Sequence, residues 1–383
     1  MLGPVANDSR PGLTLPFRVL FLERGGDAAQ MRLRPLLDLL RTQGEIGGYA
    51  VVDRDLSISG DIADGYDVVL AHRVPSSRQL AWLRRAAPPF AYDIDDLLLP
   101  DPGAEESWRG RRASDAESVA WCLKNARRIT APSARLLATL ERCLGASLAG
   151  RSQLLLNAGV ENPPPKKAAG RPWLLWTSSA AVAVTDDVLS ACRGIDAALR
   201  VIGTDILLVG RFAPGVRDQF SRSETVAWLA PEQYRRLLAE GPFIGVRPLP
   251  TGLQADQQAF IDCKSDIRAA EYGSSGVEAV YSPVPPYTES DLPCRIAPTN
   301  DAEDWRNAVL AVAGRFPGGG NELADHAAFA ARRPSVIARE FFTVLSRVRA
   351  AGAQPVRFRA LPTPALFRDI ERSFRALRSR LFR

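Results

Sequence analysis

The residues best suited to chemistry lie between 243 and 287. There an apolar run, FIGV, leads into a proline-rich loop, and Lys264, Ser265 and Asp266 then open a predicted helix that carries Glu271. Ser265 or Asp266 fits the N-cap position, and a lysine beside a helix N-terminus adds positive potential where a diphosphate can bind. Glu271, about two turns later, is within reach of a ribose diol. A capped surface helix with a solvated glutamate fits the same spacing.

Two glycines follow the first predicted strand, FRVLFLE. Gly25 and Gly26 come directly after it, and Arg32 lies one or two turns into the next predicted helix. Glycines at this point let backbone N–H groups approach a substrate phosphate, although an ordinary tight turn fits equally well. His72 ends another predicted strand and can reach a cleft there. We expect instead a strand-end histidine whose hydrogen bonds are satisfied.

Several common sites are missing from the sequence. No G-x-G-x-x-G follows either opening strand and no G-x-x-x-x-G-K-[ST] occurs, which argues against dinucleotide-binding and P-loop chemistry. His72 and His326 are the two histidines, and the five cysteines form no C-x-x-C pair, which argues against a zinc knuckle or a disulfide framework. We therefore expect a reducing cytoplasm. No secretory signal or membrane span is recognisable.

These residues must be positioned by the elements around them. Through the first 160 residues, short runs rich in Val, Leu and Ile alternate with segments of helical spacing, the pattern of buried parallel strands covered by helices. Residues 161–172, ENPPPKKAAGRP, interrupt this order, because consecutive prolines continue neither a helix nor a central strand. The alternation then restarts with WLLWTS at 173–178 and continues to 298.

The order predicts an α/β protein of two doubly wound, Rossmann-like domains that face a central crevice, with a C-terminal helical segment. The predicted boundaries are 1–160 for the first domain, 161–172 for the linker, 173–350 for the second domain and 351–383 for a tail. A chain of 383 residues is long enough for two domains of roughly 150 residues each. Ligands of such sheets bind at the carboxyl ends of the strands, and hence in the crevice.

The net charge of +6 lies in the tail, where residues 351–383 hold eight arginines against Asp369 and Glu371. The two predicted domains are close to neutral, which gives no support for nucleic-acid binding. Apolar residues of the tail fall at helical spacing: Leu366, Ile370, Phe374, Leu377 and Leu381. Basic amphipathic helices of this kind lie on anionic membranes, and packing back on the first domain is an equal alternative.

The sequence resembles the GT-B glycosyltransferases of the group 1, or family 4-like, kind. The resemblance is carried by GVRPLP at 245–250, by KSDIRAAEYGSSGVEAVYS at 264–282 with Tyr287 beyond it, and by AYDIDDLLL at 91–99. Weaker similarities extend it over most of residues 17–310 in family order: RGGDAAQMR (24–32), APSARLLATL (131–140), LLLNAGVEN (154–162) and ILLVGRF (206–212).

The resemblance implies a cytoplasmic bacterial enzyme that transfers a sugar from a nucleotide-sugar donor to a glycan or lipid-linked acceptor in cell-surface polysaccharide synthesis. It implies retention of configuration, with neither a cofactor nor a bound metal. Asp95 and Asp96 would then position or deprotonate the acceptor hydroxyl, with Arg32 and Arg73 on the same, acceptor side. The residues implied to bind the donor in the second domain and the facing loop are Gly25, Gly26, Arg211, Arg247, Lys264, Ser265, Asp266 and Glu271.

Three departures from the family pattern are visible. The E-x7-E pattern places its first acid at position 263, which is Cys263 here, with Asp262 adjacent. Residues 176–183, WTSSAAVA, lack the basic side chains with which many members neutralise the diphosphate, and Glu278 replaces a usual proline. A non-catalytic GT-B scaffold that binds a partner glycosyltransferase or a glycan is therefore the alternative. A sugar-nucleotide epimerase comes third, because acid–base residues are few.

The cluster of Asp93, Asp95 and Asp96 has three interpretations. In glycosyltransferases of the other major fold a D-x-D pair binds a divalent cation, since hard oxygen ligands suit Mg²⁺ or Mn²⁺. Those enzymes lack two sheets of the predicted kind. We therefore favour an acceptor-side site first, a helix-capping cluster second and a metal site last.

Overall fold

The computed structural model describes residues 16–23, 27–53, 65–100, 113–161, 171–178, 184–226, 229–316, 323 and 326–351, and the statements below concern these. Gly25, Gly26 and the tail beyond Ala351 lie outside the described residues, as does most of the predicted linker.

Parallel strands form two six-stranded sheets in the described part of the chain, with the orders β2-β1-β3-β4-β5-β6 and β12-β11-β10-β7-β8-β9. The strands of the first sheet are β1 (Phe17–Leu22), β2 (Ile46–Val52), β3 (Val68–His72), β4 (Phe90–Asp93), β5 (Arg128–Ala131) and β6 (Ser152–Leu154). Those of the second are β7 (Trp173–Ser178), β8 (Ile206–Gly210), β9 (Ser223–Val226), β10 (Phe243–Arg247), β11 (Ala279–Tyr281) and β12 (Arg295–Ile296).

Helices alternate with the strands. In the first half of the chain they are α1 (Asp27–Arg32), α2 (Arg34–Thr42), α3 (Ser77–Ala86), α4 (Ala113–Asn125) and α5 (Ala134–Leu144). In the second half they are α6 (Asp186–Ile202), α7 (Pro214–Arg217), α8 (Pro231–Glu240), α9 (Ala255–Asp262), α10 (Ile267–Ser274), α11 (Pro285–Thr288), α12 (Ala302–Ala313), α13 (Ala327–Ala331) and α14 (Pro334–Ala351). None of the described helices is long and apolar enough to span a membrane.

The predicted fold class is confirmed. Every residue of β3 and β4 is buried, as expected for strands covered by helices on both faces. Some predicted strands are longer than the observed ones: the run at 89–95 ends as β4 at Asp93, and the run at 152–159 ends as β6 at Leu154. The apolar composition continues past both ends because Ile94 and Leu155 are also buried. Each still donates its backbone N–H to the neighbouring strand, Ile94 to Thr130 O (3.0 Å) and Leu155 to Ala131 O (2.9 Å).

The last described helix, α14, returns to the first domain. Its buried face carries Phe341 and Leu345, which lie in one apolar cluster with Leu36 and Leu40 of α2 and with side chains of the first sheet. The sequence prediction had assigned residues 173–350 to the second domain. The difference arises because the periodicity of α14 reports an apolar face but not which sheet that face covers.

The core of the second domain depends on a close approach between α6 and α12. Gly194 of α6 lies against the backbone of Ala302, so that a Cβ atom at position 194 would be 2.1 Å from the carbonyl oxygen of Ala302. No real Cβ tolerates that distance, and the glycine therefore sets the spacing of the two helices.

We expect Gly194→Ala to lower the free energy of unfolding by about 1–3 kcal/mol, because the two helices must move apart. The loss should appear although alanine is the better helix former by about 1 kcal/mol. Gly215→Ala is the matched control, since its Cβ would meet Val184 at 3.5 Å, an ordinary contact distance. Urea unfolding measures the stability of both variants. Equal stability of the two would contradict the close packing of α6 against α12.

Candidate functional site

The carboxyl ends of β3 and β4 bring a cluster of charged residues to the crevice. His72 and Asp93 end these strands and lie directly opposite each other in the parallel register. Arg73 follows His72, and Asp95 and Asp96 follow Asp93 within three residues. Because the carboxyl ends of parallel strands meet at one edge of a sheet, five chemistry-bearing side chains gather there.

An ion-pair network links this edge to the second domain. Arg73 has a backbone φ of 55°, unusual for a residue other than glycine, and its guanidinium lies 3.1 Å from Asp95 Oδ1 and also contacts Asp96. Lys264 Nζ, from the second domain, lies 3.4 Å from Asp96 Oδ1. The structure thus unites three predicted acceptor-side residues, Arg73, Asp95 and Asp96, with a predicted donor-binding lysine.

Asp93 is the buried anchor of the cluster. Arg32 donates to it through Nε (3.1 Å) and Nη2 (3.0 Å), Thr130 Oγ1 donates at 2.6 Å, and His72 Nδ1 lies 3.0 Å away. Burial raises the pKa of Asp93, but Arg32 and His72 outweigh it and hold that pKa well below its usual range. Arg32, predicted on the acceptor side, is buried against Asp93, because the buried carboxylate requires a counterion.

A chain of buried polar groups continues from Arg32 into the second domain. Arg32 Nη1 donates to Asn157 Oδ1 (2.8 Å), and Asn157 Nδ2 donates to Asp266 Oδ1 (3.0 Å). Asp266 Oδ2 accepts from Ser290 Oγ and from Arg332 Nη2, each at 2.9 Å. Asp266 does occupy the N-cap position of α10 but its side chain caps no backbone N–H. The predicted N-cap position is therefore confirmed for Asp266, but its carboxylate pairs with buried Arg332 instead of a backbone N–H.

Glu271 is not the solvated glutamate of a surface helix. It is buried, and its Oε2 accepts from Arg268 Nη1 at 2.5 Å and from the Tyr234 hydroxyl at 3.3 Å. Nearby, the Tyr272 hydroxyl lies 2.9 Å from Thr177 Oγ1 at the end of β7. Burial lowers the pKa of Arg268, but the charge of Glu271 outweighs it and raises that pKa overall. Glu271 and Arg268 thus form a charged pair at the carboxyl end of the second sheet.

A cavity of about 10 Å³ lies beside this pair, the space of a single water molecule. Its walls come from both domains, since Met31 belongs to α1 and the other side chains to the second domain. The lining residues are Met31, Thr177, Val209, Leu229, Tyr234 and Arg268.

The remaining predicted donor-side residues are spread around the same strand ends. Arg247, at the end of β10, donates from Nη1 to the carbonyl oxygen of Thr177 at 2.9 Å, close to the Glu271 pair. Ser265 is half-buried between Lys264 and Asp266. Arg211 is exposed after β8, where its backbone N–H donates to Ser178 O at 3.0 Å. The structure therefore brings Arg247 to the cluster and leaves Arg211 at the surface.

Cys263 does not face the crevice. It is 1% exposed and packs in the apolar core of the first domain, with Leu136 and Leu140 of α5. Burial raises the pKa of its thiol, which also makes a hydrogen bond with Thr139. Asp262 beside it accepts from Gln258 of its own helix at 2.7 Å. The position of the family's first acid thus holds a thiol packed against the first domain, and the adjacent carboxylate of Asp262 is bonded within α9.

Two acidic residues that the sequence analysis missed occupy the N-terminus of α6. Asp186 and Asp187 lie in its first turn. The carboxylate of Asp187 accepts from the backbone N–H of Thr251 at 2.6 Å and from Asn300 Nδ2 at 2.9 Å. Burial raises the pKa of Asp187, but these hydrogen bonds outweigh it and lower that pKa. A helix N-terminus that can bind a phosphate is therefore already neutralised by the protein's own carboxylates.

Metal ligands do not cluster in the described residues: no group of three or more His, Cys, Asp and Glu side chains there is arranged to hold an ion. The carboxylates of Asp93, Asp95 and Asp96 each contact a cationic side chain of the protein. The acidic cluster is thus neutralised internally, by arginine and lysine.

Comparison with known proteins identifies the fold. No protein-family model and no curated protein sequence matches the chain. Among solved structures, Anabaena Alr3699/HepE in complex with UDP and glucose has a TM-score of 0.58 at 14% identity, over 86% of this chain and 99% of that one. A putative UDP-N-acetylglucosamine 2-epimerase from Listeria monocytogenes has a TM-score of 0.55 at 11% identity, over 85% and 94%.

The catalytic domain of starch synthase IV from Arabidopsis thaliana, bound to ADP and acarbose, has a TM-score of 0.52 at 8% identity, over 88% of this chain and 99% of that one. At these identities the likeness concerns the fold. The chain has the two-domain GT-B architecture that its sequence resembles. The match covers 99% of the HepE chain and 99% of the starch synthase chain.

We expect Asp93→Asn to destabilise the protein at pH 7 by about 3–5 kcal/mol, because it leaves the Arg32 guanidinium buried without a counterion. The pKa of Asp93 is lower in the folded state, so the ionised carboxylate stabilises the fold above the unfolded pKa of about 3.9 and loses this effect as the pH falls. The difference between variant and wild type should therefore narrow below about pH 5.

Chemical unfolding at a series of pH values measures this difference. Glu117→Gln is the control, because Glu117 pairs with Arg84 at the exposed surface. It should shift the unfolding midpoint little at any pH. A small difference in unfolding free energy between Asp93→Asn and wild type at pH 7 would contradict the role of the buried ion pair. A difference that grows towards low pH would contradict it as well.

Proposed function

We propose that this protein is a glycosyltransferase that moves a sugar from a nucleotide-sugar donor to a glycan or lipid-linked acceptor. The observation that carries the proposal is the convergence of charged side chains from both domains on one crevice, where Lys264 meets Asp96 and Arg268 meets Glu271. The fold supports it, since HepE in complex with UDP-glucose shares this architecture over 99% of its length.

The donor binds on the second domain in this proposal. Its diphosphate is met by Lys264, Arg268 and Arg247, three cations within one strand-end region. Arginine binds phosphate oxygens in the same two-pronged way as it binds a carboxylate, so Arg268 can exchange Glu271 for the diphosphate. That exchange frees the Glu271 carboxylate to accept hydrogen bonds from the ribose diol. Ser265 lies beside the same phosphate path.

A donor phosphate that reaches Arg268 in this scheme enters beside the cavity that Met31 and Arg268 both line. Lys264 then loses Asp96 and gains the donor phosphate as its partner. Closure over the bound donor excludes water, which strengthens each electrostatic contact to the leaving diphosphate.

The finer features of the proposal rest on the sequence resemblance. They are retention of the anomeric configuration, independence of a bound metal, and a role in bacterial cell-surface polysaccharide synthesis in the cytoplasm at the inner face of the membrane. The NMR signal of the product's anomeric proton tests retention of configuration. Unchanged turnover in the presence of a chelator tests independence of a bound metal.

A non-catalytic scaffold is the second candidate, and two observations favour it. The position of the family's first acid, Cys263, is sealed in the contact with the first domain. The N-terminus of α6 is neutralised by Asp186 and Asp187 rather than open to a phosphate. Release of a nucleoside diphosphate that depends on an acceptor would refute the scaffold.

A thermal-shift and turnover screen against UDP-, ADP- and GDP-sugars tests the proposal. We expect one donor to raise the unfolding temperature, because a ligand that binds only the folded state stabilises it. Glu271→Gln should weaken the binding of that donor at least tenfold, as the amide cannot replace the charge that organises Arg268 and the ribose contacts.

Glu240→Ala is the matched control, since Glu240 is exposed at the end of α8 and faces Arg236 at 4.0 Å. It should leave donor affinity unchanged. If no nucleotide sugar binds, the proposed function fails. If the donor is epimerised without an acceptor, the epimerase replaces the transferase.

The basic tail carries a proposal of its own, that residues 360–383 hold the enzyme on an anionic membrane near a lipid-linked acceptor. Each arginine near such a surface contributes roughly 1 kcal/mol, and this segment is rich in them. Removing residues 360–383 should therefore abolish co-sedimentation with vesicles of phosphatidylglycerol and phosphatidylcholine. Vesicles of phosphatidylcholine alone are the control. Equal sedimentation of the truncated and full chains would refute the membrane role.

A further inference from the structure

Another, larger cavity lies in the second domain, between α10, α13 and the strand edge formed by β11 and β12. Its volume is about 520 Å³, against about 10 Å³ for the cavity beside Arg268. Sites for small molecules typically measure about 300–1,000 Å³, so this cavity has room for a ligand of that class. The proposed function does not use it.

Helix α10 stands between this cavity and the proposed donor site. Ala269 and Gly273, four residues apart, line the cavity, whereas Arg268 and Glu271 form the charged pair at the carboxyl end of the sheet. At 3.6 residues per turn, the two pairs point about 150° apart around the helix axis. The described lining residues include none of the predicted donor-binding residues. The cavity is therefore separate from the donor site.

Much of the cavity wall is apolar. Val277 and Ala279 from the β11 side and Phe329 of α13 are buried and line it. Phe329 packs directly on Gly273, where a Cβ atom would collide with its ring. Cys294 adds a neutral thiol, because burial raises its pKa to about 12. This wall suits the apolar body of a ligand.

The charged side chains of the lining lie at the amino ends of β11 and β12. Glu278 precedes β11, Arg295 opens β12, and Arg315 follows α12. Glu278 Oε1 contacts Arg315 Nη2 and lies 3.7 Å from Arg295 Nε. One carboxylate thus faces two guanidinium groups, which leaves this charged rim with a net charge of +1.

The rim is accessible to a dissolved ion. The side chains of Arg295 and Arg315 are 37% and 44% exposed, although Glu278 between them is 24% exposed. Glu278 is also the residue that replaces the usual proline of the family pattern. A proline would have no charge to place between the two arginines, so the rim is built around this departure from the pattern.

We propose that this cavity binds a small anion with an apolar body, a carboxylate or a phosphate ester carried on a ring or a short alkyl chain. The anionic group meets Arg295 and Arg315, since a guanidinium binds carboxylate and phosphate oxygens through paired hydrogen bonds. The apolar body lies against Val277, Ala279 and Phe329. The site does not depend on the proposed glycosyl transfer, because the two use different residues.

Two fluorescent probes test the proposal on the full chain. The first is 1-anilinonaphthalene-8-sulfonate, which carries an anionic sulfonate on an aromatic body and brightens when it leaves water. The second is N-phenyl-1-naphthylamine, which has the same aromatic body without the charge. Fluorescence titration gives the affinity of each probe. Displacement of the sulfonate by octanoate or by octyl phosphate then distinguishes a carboxylate ligand from a phosphate ester.

We expect substitutions at the rim to change the affinity of the charged probe in opposite directions. Arg315→Gln should weaken sulfonate binding about three- to tenfold, because the rim loses a partly exposed cation. Glu278→Gln should strengthen it by about threefold or more, because the carboxylate no longer competes for the two guanidinium groups. Neither variant should change the affinity of the uncharged probe.

Arg306→Gln is the matched control. Arg306 is exposed on α12, so this variant removes the same charge at a position outside the cavity lining. It should leave the affinity of both probes unchanged.

A substitution in the wall tests the apolar part of the site. Cys294→Phe places a larger side chain in the cavity, so it should weaken the binding of both probes, charged and uncharged. A thermal unfolding curve checks that the variant is folded. Unchanged binding of both probes to a folded Cys294→Phe would place the probes elsewhere and overturn the proposal.

Two further results would overturn it. Equal sulfonate affinities of wild type, Arg315→Gln and Glu278→Gln would show that the rim does not bind the anion. Displacement of the sulfonate by UDP-glucose would place the probe in the crevice. If no nucleotide sugar binds but the rim variants shift the sulfonate affinity as expected, the proposed function fails while this site stands.

Discussion

The buried guanidinium of Arg32 holds the site together. On one side it neutralises Asp93, and on the other it donates to Asn157, which in turn orients Asp266 at the start of α10. Removing one partner of a buried ion pair costs several kcal/mol, so each group in this chain requires the next. Arg32 thus connects His72, which contacts Asp93, with Asp266 of the second domain, which contacts Asn157.

In the proposed reaction, the same arrangement links donor binding to the contact between the two domains. Lys264 contacts Asp96 across the domains, and Arg268 contacts Glu271 within the second domain. In the proposed reaction a donor diphosphate competes for both cations. A ligand shifts a conformational equilibrium only by its difference in affinity between the states, and here the difference is the exchange of carboxylate for phosphate. In the proposed reaction, the ion pairs of Lys264 with Asp96 and of Arg268 with Glu271 are the contacts that donor binding replaces.

The fold is shared with enzymes that use nucleotide sugars, whereas the details of the site differ from the family pattern that the sequence resembles. Cys263 is buried where that pattern has an acid, and Asp187 neutralises a helix N-terminus that is suited to a phosphate. Asp93 and His72 instead form a buried pair on the first domain. A fold supplies the crevice, and the side chains at its edge decide which chemistry takes place there.

The sequence by itself determined the two sheets and the grouping of Lys264 with Glu271, because strand composition and helical spacing are local properties of the chain. Tertiary structure alone decided which groups meet. Arg32 contacts Asp93, 61 residues away in the sequence, and Asn157, 125 residues away. Cys263 packs in the core of the first domain, and α14 packs on the first sheet. Periodicity records that a face is buried, but the identity of its partner depends on strand register and on the contact between domains.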